Sequence, residues 1–457
     1  MLDYGLNRYA YTMKSAVKWL LVLLVAINSA WLIAEDTESP ETVLERLNSE
    51  RKSAGIESTY KFNTALTEAS RRHCLYWAEH YDQLRQNLMA GEISWHDERD
   101  IEGSEYYAGK MRERAQKQGY TSGVAENLQL GSKSWAGAIS GLMSSMGHRL
   151  NFLNPAFNDI GFYGCRVKSV FPGEGATLYV FMMGSDYGRV FDEKTKELCT
   201  KEGLKYCPAG MTSCTVIRCD NGLGVLKSRV STETASLVQQ QDSGFVMYPF
   251  DGAVVEPLAS NHGPYDDYSG QLRGQMISVE LLPETQKQIS GLLMMLVDTS
   301  SGEIVPMGAV SNGLPPSRSG IRAWLPESPL KWGGQYRMVM QYNDPGDGWQ
   351  ERKFEFSVRK PEGRVVNISN LQQTVSVKKG EENLFVIDWN LTPQKAINNI
   401  EITYWGSNNY EIEALGDNLI KVQSNIDRLI IKNAANNMAI NSLCTGLDCT
   451  EADGPCQ

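Results

Sequence analysis

The apolar positions of this chain change period once. From Ser39 to about residue 155 they recur every three or four residues; beyond that they alternate or form short runs. Ser39-Pro40-Glu41 predicts a helix start, with Ser as N-cap and Pro in the first turn. Val43, Leu44, Leu47 and Ala54 give that helix one apolar face, and Gly55 ends it. A second helix begins near Asn63 with the inner stripe Leu66, Ala69, His73 and Trp77. A third is expected over Tyr106 to Gln118, closing at Gly119, and a fourth over Trp135 to Ser144. After Pro155, Ile160 to Cys165 and Thr177 to Met183 read as strands. Helices first and strands second predict a mixed α+β or αβα-sandwich domain over residues 38–190.

Residues 191–243 carry four cysteines and then a Gln/Ser/Thr-rich run, which predicts a cysteine-bearing linker. From Phe245 the helical period disappears. Ile277/Val279/Leu281, Tyr336/Met338/Met340/Tyr342 and Phe354/Phe356/Val358 alternate with polar neighbours. About seven strands over 245–359 match the size of an all-β immunoglobulin-like sandwich. Lys360-Pro361-Glu362-Gly363 marks a further boundary, and 361–457 predicts a small β-rich domain with a cysteine tail.

With 457 residues, the chain is multidomain by length alone. A net charge of −10 excludes nucleic acid as the expected partner, since phosphate binding needs a basic face. Residues 1–34 differ from the rest: Lys14 and Lys18 precede an apolar run from Trp19 to Ile27, and small residues stand before Glu35-Asp36. That order is the pattern of a secretory signal peptide, and Met13 is a better start for it than Met1. An uncleaved signal anchor is the alternative, and membrane contact is expected only in that case. Nine cysteines fit an oxidising compartment, periplasmic, extracellular or at the cell surface. Cys199, Cys207, Cys214 and Cys219 are spaced for disulfides rather than zinc knuckles. Cys74 and Cys165 either pair or supply the odd free thiol.

The candidate chemistry lies in His96, Glu126 and His148, each beside glycine or polar residues. Two imidazoles can hold a divalent metal such as zinc with a water position open, and Glu126 can act as an outer partner or general base. The plainer alternative has both histidines bonding loop backbone and Glu126 tying down the Asn127 loop. Ser144 and Ser145 lie near His148, but no GxSxG elbow is present and helix-end capping explains them more simply. His73, on the apolar stripe, is expected in the core; His80 and His262 are expected on the surface. Among Trp324, Trp332, Trp349, Trp389 and Trp405, core packing outweighs sugar binding as the expectation.

One family carries these pieces in this order. Leu47-Asn48-Ser49-Glu50-Arg51 with Ala54-Gly55, Ala65 to Ala69 with His73, and His96-Asp97-Glu98 match its early blocks. Gly119-Tyr120, Ala125-Glu126-Asn127-Leu128, Gly147-His148-Arg149 and Leu153 to Gly161 match the later ones. Residues 40–185 thereby resemble the bacterial branch of the CAP superfamily (the SCP domain of cysteine-rich secretory proteins, antigen 5 and pathogenesis-related proteins). The resemblance implies a metal at His96 and His148. Leu142 and Met146 depart from the pattern, and no residue aligns with the second pocket glutamate that many members carry. The missing glutamate favours a non-enzymatic exported protein whose groove contacts a lipid, peptide or glycan. A metal-assisted peptidase using His96, Glu126 and His148, and a structural surface protein, are the alternatives.

Overall fold

The computed structural model of the protein describes residues 38–89, 91–101, 108–167, 176–202, 215–231, 233, 244–259, 272–310, 314–315, 318–361, 363–368, 375–377, 382–387, 400–405, 410–416, 419–424, 428–433 and 438–445. Residues 1–34, where a signal segment is expected, lie outside them, as do His262, Trp389, Cys207, Cys214, Cys449 and Cys456. Among the described residues no helix is long and apolar enough to cross a membrane.

The first domain opens with α1 (Pro40–Ser53), whose N-cap Ser39 accepts a hydrogen bond from the Thr42 amide, and Gly55 leaves it with φ of 100°. Next come β1 (Lys61–Phe62), α2 (Thr64–Met89), α3 (Met111–Lys117) and β2 (Val124–Leu130). Then follow α4 (Trp135–Ser144), α5 (Met146–Phe152), β3 (Asp159–Val167) and β4 (Ala176–Gly184). The sheet order is β1-β3-β4-β2, with β4 antiparallel to both of its neighbours and β2 at an edge.

The run Leu178-Tyr179-Val180-Phe181-Met182-Met183 is buried on both faces, so it reads as continuous rather than alternating. Leu178 and Val180 pack with Cys74 and Trp77 of α2, and Met182 packs with Leu66 and Ala69. Tyr179, Phe181 and Met183 face the other way, onto Val43, Leu47, Ile139 and Leu142 of α1 and α4. Those two layers on one sheet are the expected αβα arrangement. Gly161 is where α2 presses hardest on the sheet: a Cβ there would sit 2.1 Å from the Thr67 nitrogen. A disulfide between Cys74 and Cys165 crosslinks α2 to β3 across 91 residues. Closing so long a loop removes about 4–5 kcal/mol of unfolded-chain entropy.

The stretch expected as a linker holds a helix, α6 (Tyr187–Glu202), and a hairpin of β5 (Val216–Arg218) and β6 (Gly224–Leu226). Cys199–Cys219 ties the helix to the hairpin, and Leu198, Val225 and Val230 form a small core beneath it. The region is therefore structured where it is described, because one crosslink and a few apolar side chains suffice to fold it back on itself.

The next unit builds two sheets. One has the order β11-β10-β14-β15-β8, from Ile304–Val305, Gly291–Asp298, Gln335–Asp344, Gly348–Val358 and Val254–Val255. The other has the order β12-β13-β9-β7, from Met307–Val310, Ile321–Pro326, Ile277–Leu281 and Phe245–Tyr248. Ile277 and Val279 share a core with Met338, Met340 and Phe356, so the alternating positions face inward. The carboxy-terminal unit adds two four-stranded sheets, with β16 (Arg364–Ile368) in the first and β23 (Met438–Thr445) in the second.

These units are not strung apart. Val43 and Leu47 of the first domain belong to the same apolar cluster as Val246 and Met338 of the second unit. The Met247 amide donates to the Ala54 carbonyl at 2.9 Å. Val366, Phe385 and Val422 of the third unit pack with Trp77 and Tyr81 of the first.

Candidate functional site

His96 stands in a short loop after α2 that is braced before any functional group is considered. Trp95 stacks on Tyr81 with ring centroids 5.7 Å apart and leans on Trp77 at 4.4 Å. Its carbonyl is 2.8 Å from His73 Nε2 and accepts from Trp77 Nε1 at 2.9 Å. Ser94 Oγ accepts from the His96 amide at 3.3 Å, and Lys110 holds Asp97 at 2.6 Å. The loop thus has little freedom, and the His96 side chain stays 42% exposed.

Glu126 comes from β2, not from a loop. It pairs with Met182 across the sheet, so its side chain lies on the α2 side, where it is fully buried. One oxygen meets His96 Nδ1 at 2.9 Å and the other accepts from Arg114 Nη2 at 2.7 Å. Arg114, from α3, is equally buried and also donates to the His96 carbonyl at 3.2 Å. Its Nε is 3.7 Å from Glu98 Oε1, and that oxygen is 2.9 Å from His73 Nδ1. Glu98 Oε2 accepts the Ala108 amide at 3.1 Å.

Four ionisable groups are therefore buried together: His73, Glu98, Arg114 and Glu126. Burial alone would raise the Glu126 pKa, but the Arg114 guanidinium, then His73 and His96, hold it well below the usual carboxylate range. Burial likewise opposes ionisation of Glu98; His73 and then Arg114 outweigh it and keep the carboxyl below its ordinary value. Both atoms facing the His73 ring, a carboxylate and a carbonyl oxygen, only accept.

With Nδ1 directed at Glu126, the His96 ring leaves Nε2 as the atom to meet a ligand. A carboxylate behind an imidazole fixes its orientation and raises its basicity, which suits proton transfer, hydrogen bonding or metal ligation alike.

His148 is placed differently. It lies on α5, so the Gly147-His148-Arg149 motif is helical, and its side chain is half-buried. The Asn127 amide donates to the His148 carbonyl at 2.9 Å, and Asn151 donates to Asn127 at 2.9 Å. Asn127 pairs with Phe181 and so faces the α4–α5 layer, opposite to Glu126. The structure thus joins His96 to Glu126 by side chains and ties His148 to the next residue of the same strand by its main chain. Because β2 is an edge strand, a cleft holding all three groups would have to wrap that edge.

The neighbouring Arg149 reaches across the domain joint. It is fully buried, donates to the carbonyls of Met143 at 3.0 Å and Met276 at 3.2 Å, and lies 4.1 Å over the Tyr248 ring. Arg318 of the second unit donates to the Leu150 carbonyl at 2.6 Å and pairs with Glu280.

Among the described residues, no three His, Cys, Asp or Glu side chains are arranged to hold a metal ion. A metal at this site would rest on His96 and His148, since both oxygens of Glu126 are engaged. Ser144 Oγ donates to the Gly141 carbonyl at 2.6 Å, a helix-end contact, and Ser145 stands at the N-cap of α5. His73 is in the core as expected, but as part of the charge cluster. His80 departs from expectation: α2 continues beneath the His96 loop, so His80 is buried, 5.0 Å from the Tyr76 ring.

Sequence reasoning passed over Glu98 and Arg114. The signal for Glu98 was its place two residues after His96. Arg114, on a charged seven-residue helix, gave no signal of burial.

No curated protein matches the chain. Among solved structures, CopC from Methylosinus trichosporium OB3b is 16% identical over 25% of this chain and 91% of its own, with a TM-score of 0.17. PcoC, a methionine-rich copper resistance protein from Escherichia coli, is 16% identical over 19% of this chain and 83% of its own, with a TM-score of 0.15. The Ig1-2 module of the Drosophila receptor protein tyrosine phosphatase DLAR is 11% identical over 38% of this chain and 90% of its own, at 0.13. Scores this low carry no argument about fold or role. The family comparison is of another kind: residues 44–169 match the cysteine-rich secretory protein family, and the first domain of this chain is a CAP domain.

Proposed function

We propose that this is an exported protein of the bacterial CAP branch, and that its CAP domain binds a lipid, peptide or glycan without transforming it. The observation that carries the reading is the state of Glu126: buried, with both oxygens engaged by His96 and Arg114. A carboxylate so committed acts as an anchor for the His96 ring. The second unit, immunoglobulin-like in this reading, packs directly on the binding domain and so supports it. Export is supported by the Lys14–Ala34 pattern and by two disulfides, which persist in an oxidising compartment.

The test is Glu126→Gln, which keeps size and removes the charge. An anchoring role predicts that a ligand co-purifying with the protein, identified by mass spectrometry, stays bound. Stability should fall by about 1–3 kcal/mol for a buried group left imperfectly paired. A metal-assisted hydrolase is the second reading, favoured by the half-exposed His96 ring backed by a carboxylate. In that case the wild type hydrolyses a peptide substrate, and Glu126→Gln lowers the rate about 100-fold or more while the protein stays folded. Recovery of the chain from the cytoplasm with its thiols free to alkylation would overturn the export reading.

A further inference from the structure

Among the described tryptophans one stands apart. Trp349 opens β15 and is 60% exposed, whereas Trp324 and Trp332 are partly buried against apolar cores. Its ring lies against Gly291 of β10, where an added Cβ would come within 3.3 Å of the indole Cη2. The indole therefore rests on bare backbone, with its remaining surface turned to solvent.

The strand registers define what surrounds it. Trp349 pairs with Asn343, and Asn343 pairs with Gly291, so one row crosses three strands. Leu293, 57% exposed, and Met295 follow on the same face of β10, with Ile304 of the edge strand β11 at the far end. This is a single file of apolar side chains roughly 20 Å long, at about 3.4 Å per residue. Beside it runs a polar file on β14 and β15. Gln341 donates to Glu351 at 2.9 Å, Lys353 holds Glu351 at 2.9 Å, and Arg337 pairs with Glu355 at 2.6 Å. Asn343 donates to Ser290 Oγ at 2.8 Å next to the indole.

We propose that this outer sheet face is a binding site for a neutral glycan chain, with Trp349 as its stacking platform. The face of an indole carries negative quadrupole charge and attracts the polarised C–H bonds of a pyranose ring. The Gln341, Asn343 and Glu351 side chains stand where ring hydroxyls would project, and they offer both donors and acceptors. The charges along the file are paired off, which suits an uncharged ligand, and Asp344, directly across from Gly348 beside the platform, disfavours an anionic lipid surface. The exposed apolar side chains form a narrow strip, since Val339 of β14 on the same face is buried. A stable protein interface buries about 800 Å² per partner around a desolvated centre, and a single file does not supply one. This site lies in the second unit and does not depend on the His96–Glu126 reading.

The full chain is titrated with cellohexaose, chitohexaose, maltohexaose and laminarihexaose, read by tryptophan fluorescence and calorimetry. At least one should bind at millimolar concentration or better. Trp349→Ala should weaken it about tenfold or more, and Trp349→Phe should restore part of the loss. Leu293→Ser, in the same strip, should weaken binding to a lesser degree, whereas Lys201→Ala, on the exposed face of α6, should leave it unchanged. Because Trp349 is exposed, Trp349→Ala should melt within a few degrees of the wild type; the Leu293→Ser variant decides the matter if it does not. Binding of none of the four hexaoses, or binding indifferent to both strip variants, overturns the proposal. So does Trp349-dependent binding to phosphatidylglycerol vesicles in place of sugar.

Discussion

The His96 loop and the His148 helix each present an imidazole on the CAP domain, and they are held by opposite means. His96 is fixed from within its own domain: Trp95 braces its loop, Glu126 meets its ring, and the buried Arg114 holds both Glu126 and the His96 carbonyl. His148 rides on α5, which is clasped between units: Met146 and Leu150 pack against Met276 and Ile321 of the second unit, and Arg149 bonds its backbone. The first arrangement makes ring orientation a property of the CAP fold. The second makes it a property of the joint. If both imidazoles serve one ligand, the second unit participates in binding without touching it.

The largest effect should come from the ionic cluster. Arg114→Ala leaves Glu98 and Glu126 buried without their guanidinium, and removing one member of such a set costs about 3–5 kcal/mol. Chemical denaturation of the variant measures this; a loss under about 1 kcal/mol would break the claim that the cluster holds His96. Arg149→Ala should cost less, about 2–3 kcal/mol, since it strips hydrogen bonds from buried carbonyls. Its distinguishing sign is in calorimetry, where the first two units should melt separately once the joint is loosened. A single unshifted transition would mean that the joint does not couple them.

The two regions should also respond to pH with opposite sign. Glu98 and Glu126 have pKa values lowered by folding, so their contribution is present above the ordinary carboxylate pKa and is lost as pH falls below it. Glu50 of α1, near Tyr248 at the joint, is pushed up to about 7 by burial that Arg46 only partly offsets. Its favourable neutral state is present at low pH, and the joint weakens as pH rises from about 4.5 through about 7. Melting followed across pH 3–8 in wild type and Glu50→Gln checks both arms, for Glu50→Gln should flatten only the upper one. The smallest effect is Ser278→Ala. It removes a 3.4 Å contact to Arg149 and should cost about 0.5 kcal/mol, with the joint intact.

Much of this was legible from residues alone. Ser39-Pro40 and Gly55 bound α1 because capping and left-handed closure are local. Trp135 to Ser144 formed the helix its apolar spacing predicted. The Cys74–Cys165 pair was one of two open possibilities, and only the approach of α2 to β3 chose it. Glu126 was recognised as a functional position but assigned to a loop. Its strand shows in the pairing with Met182, 56 residues away, which no local pattern contains.

The buried arginines mark the boundary most clearly. Arg51 donates to the carbonyls of Phe152 at 2.7 Å and Phe157 at 2.9 Å, about a hundred residues on. Arg114 and Arg149 are likewise fully buried on helices whose sequences place charge where solvent is expected. Periodicity ranks positions by average polarity, so a guanidinium counts as surface unless its acceptors are known. The sequence by itself determined α1 with its caps, the start of α2, α4, the strands β3 and β4 after Pro155 and the family of the first domain, because each depends on neighbours within a few turns or on ordered motifs. Only the tertiary structure decided which charges are buried, that α5 belongs to the joint as much as to the site, and that Trp349 is left in water. Each of those depends on partners brought together from distant parts of the chain.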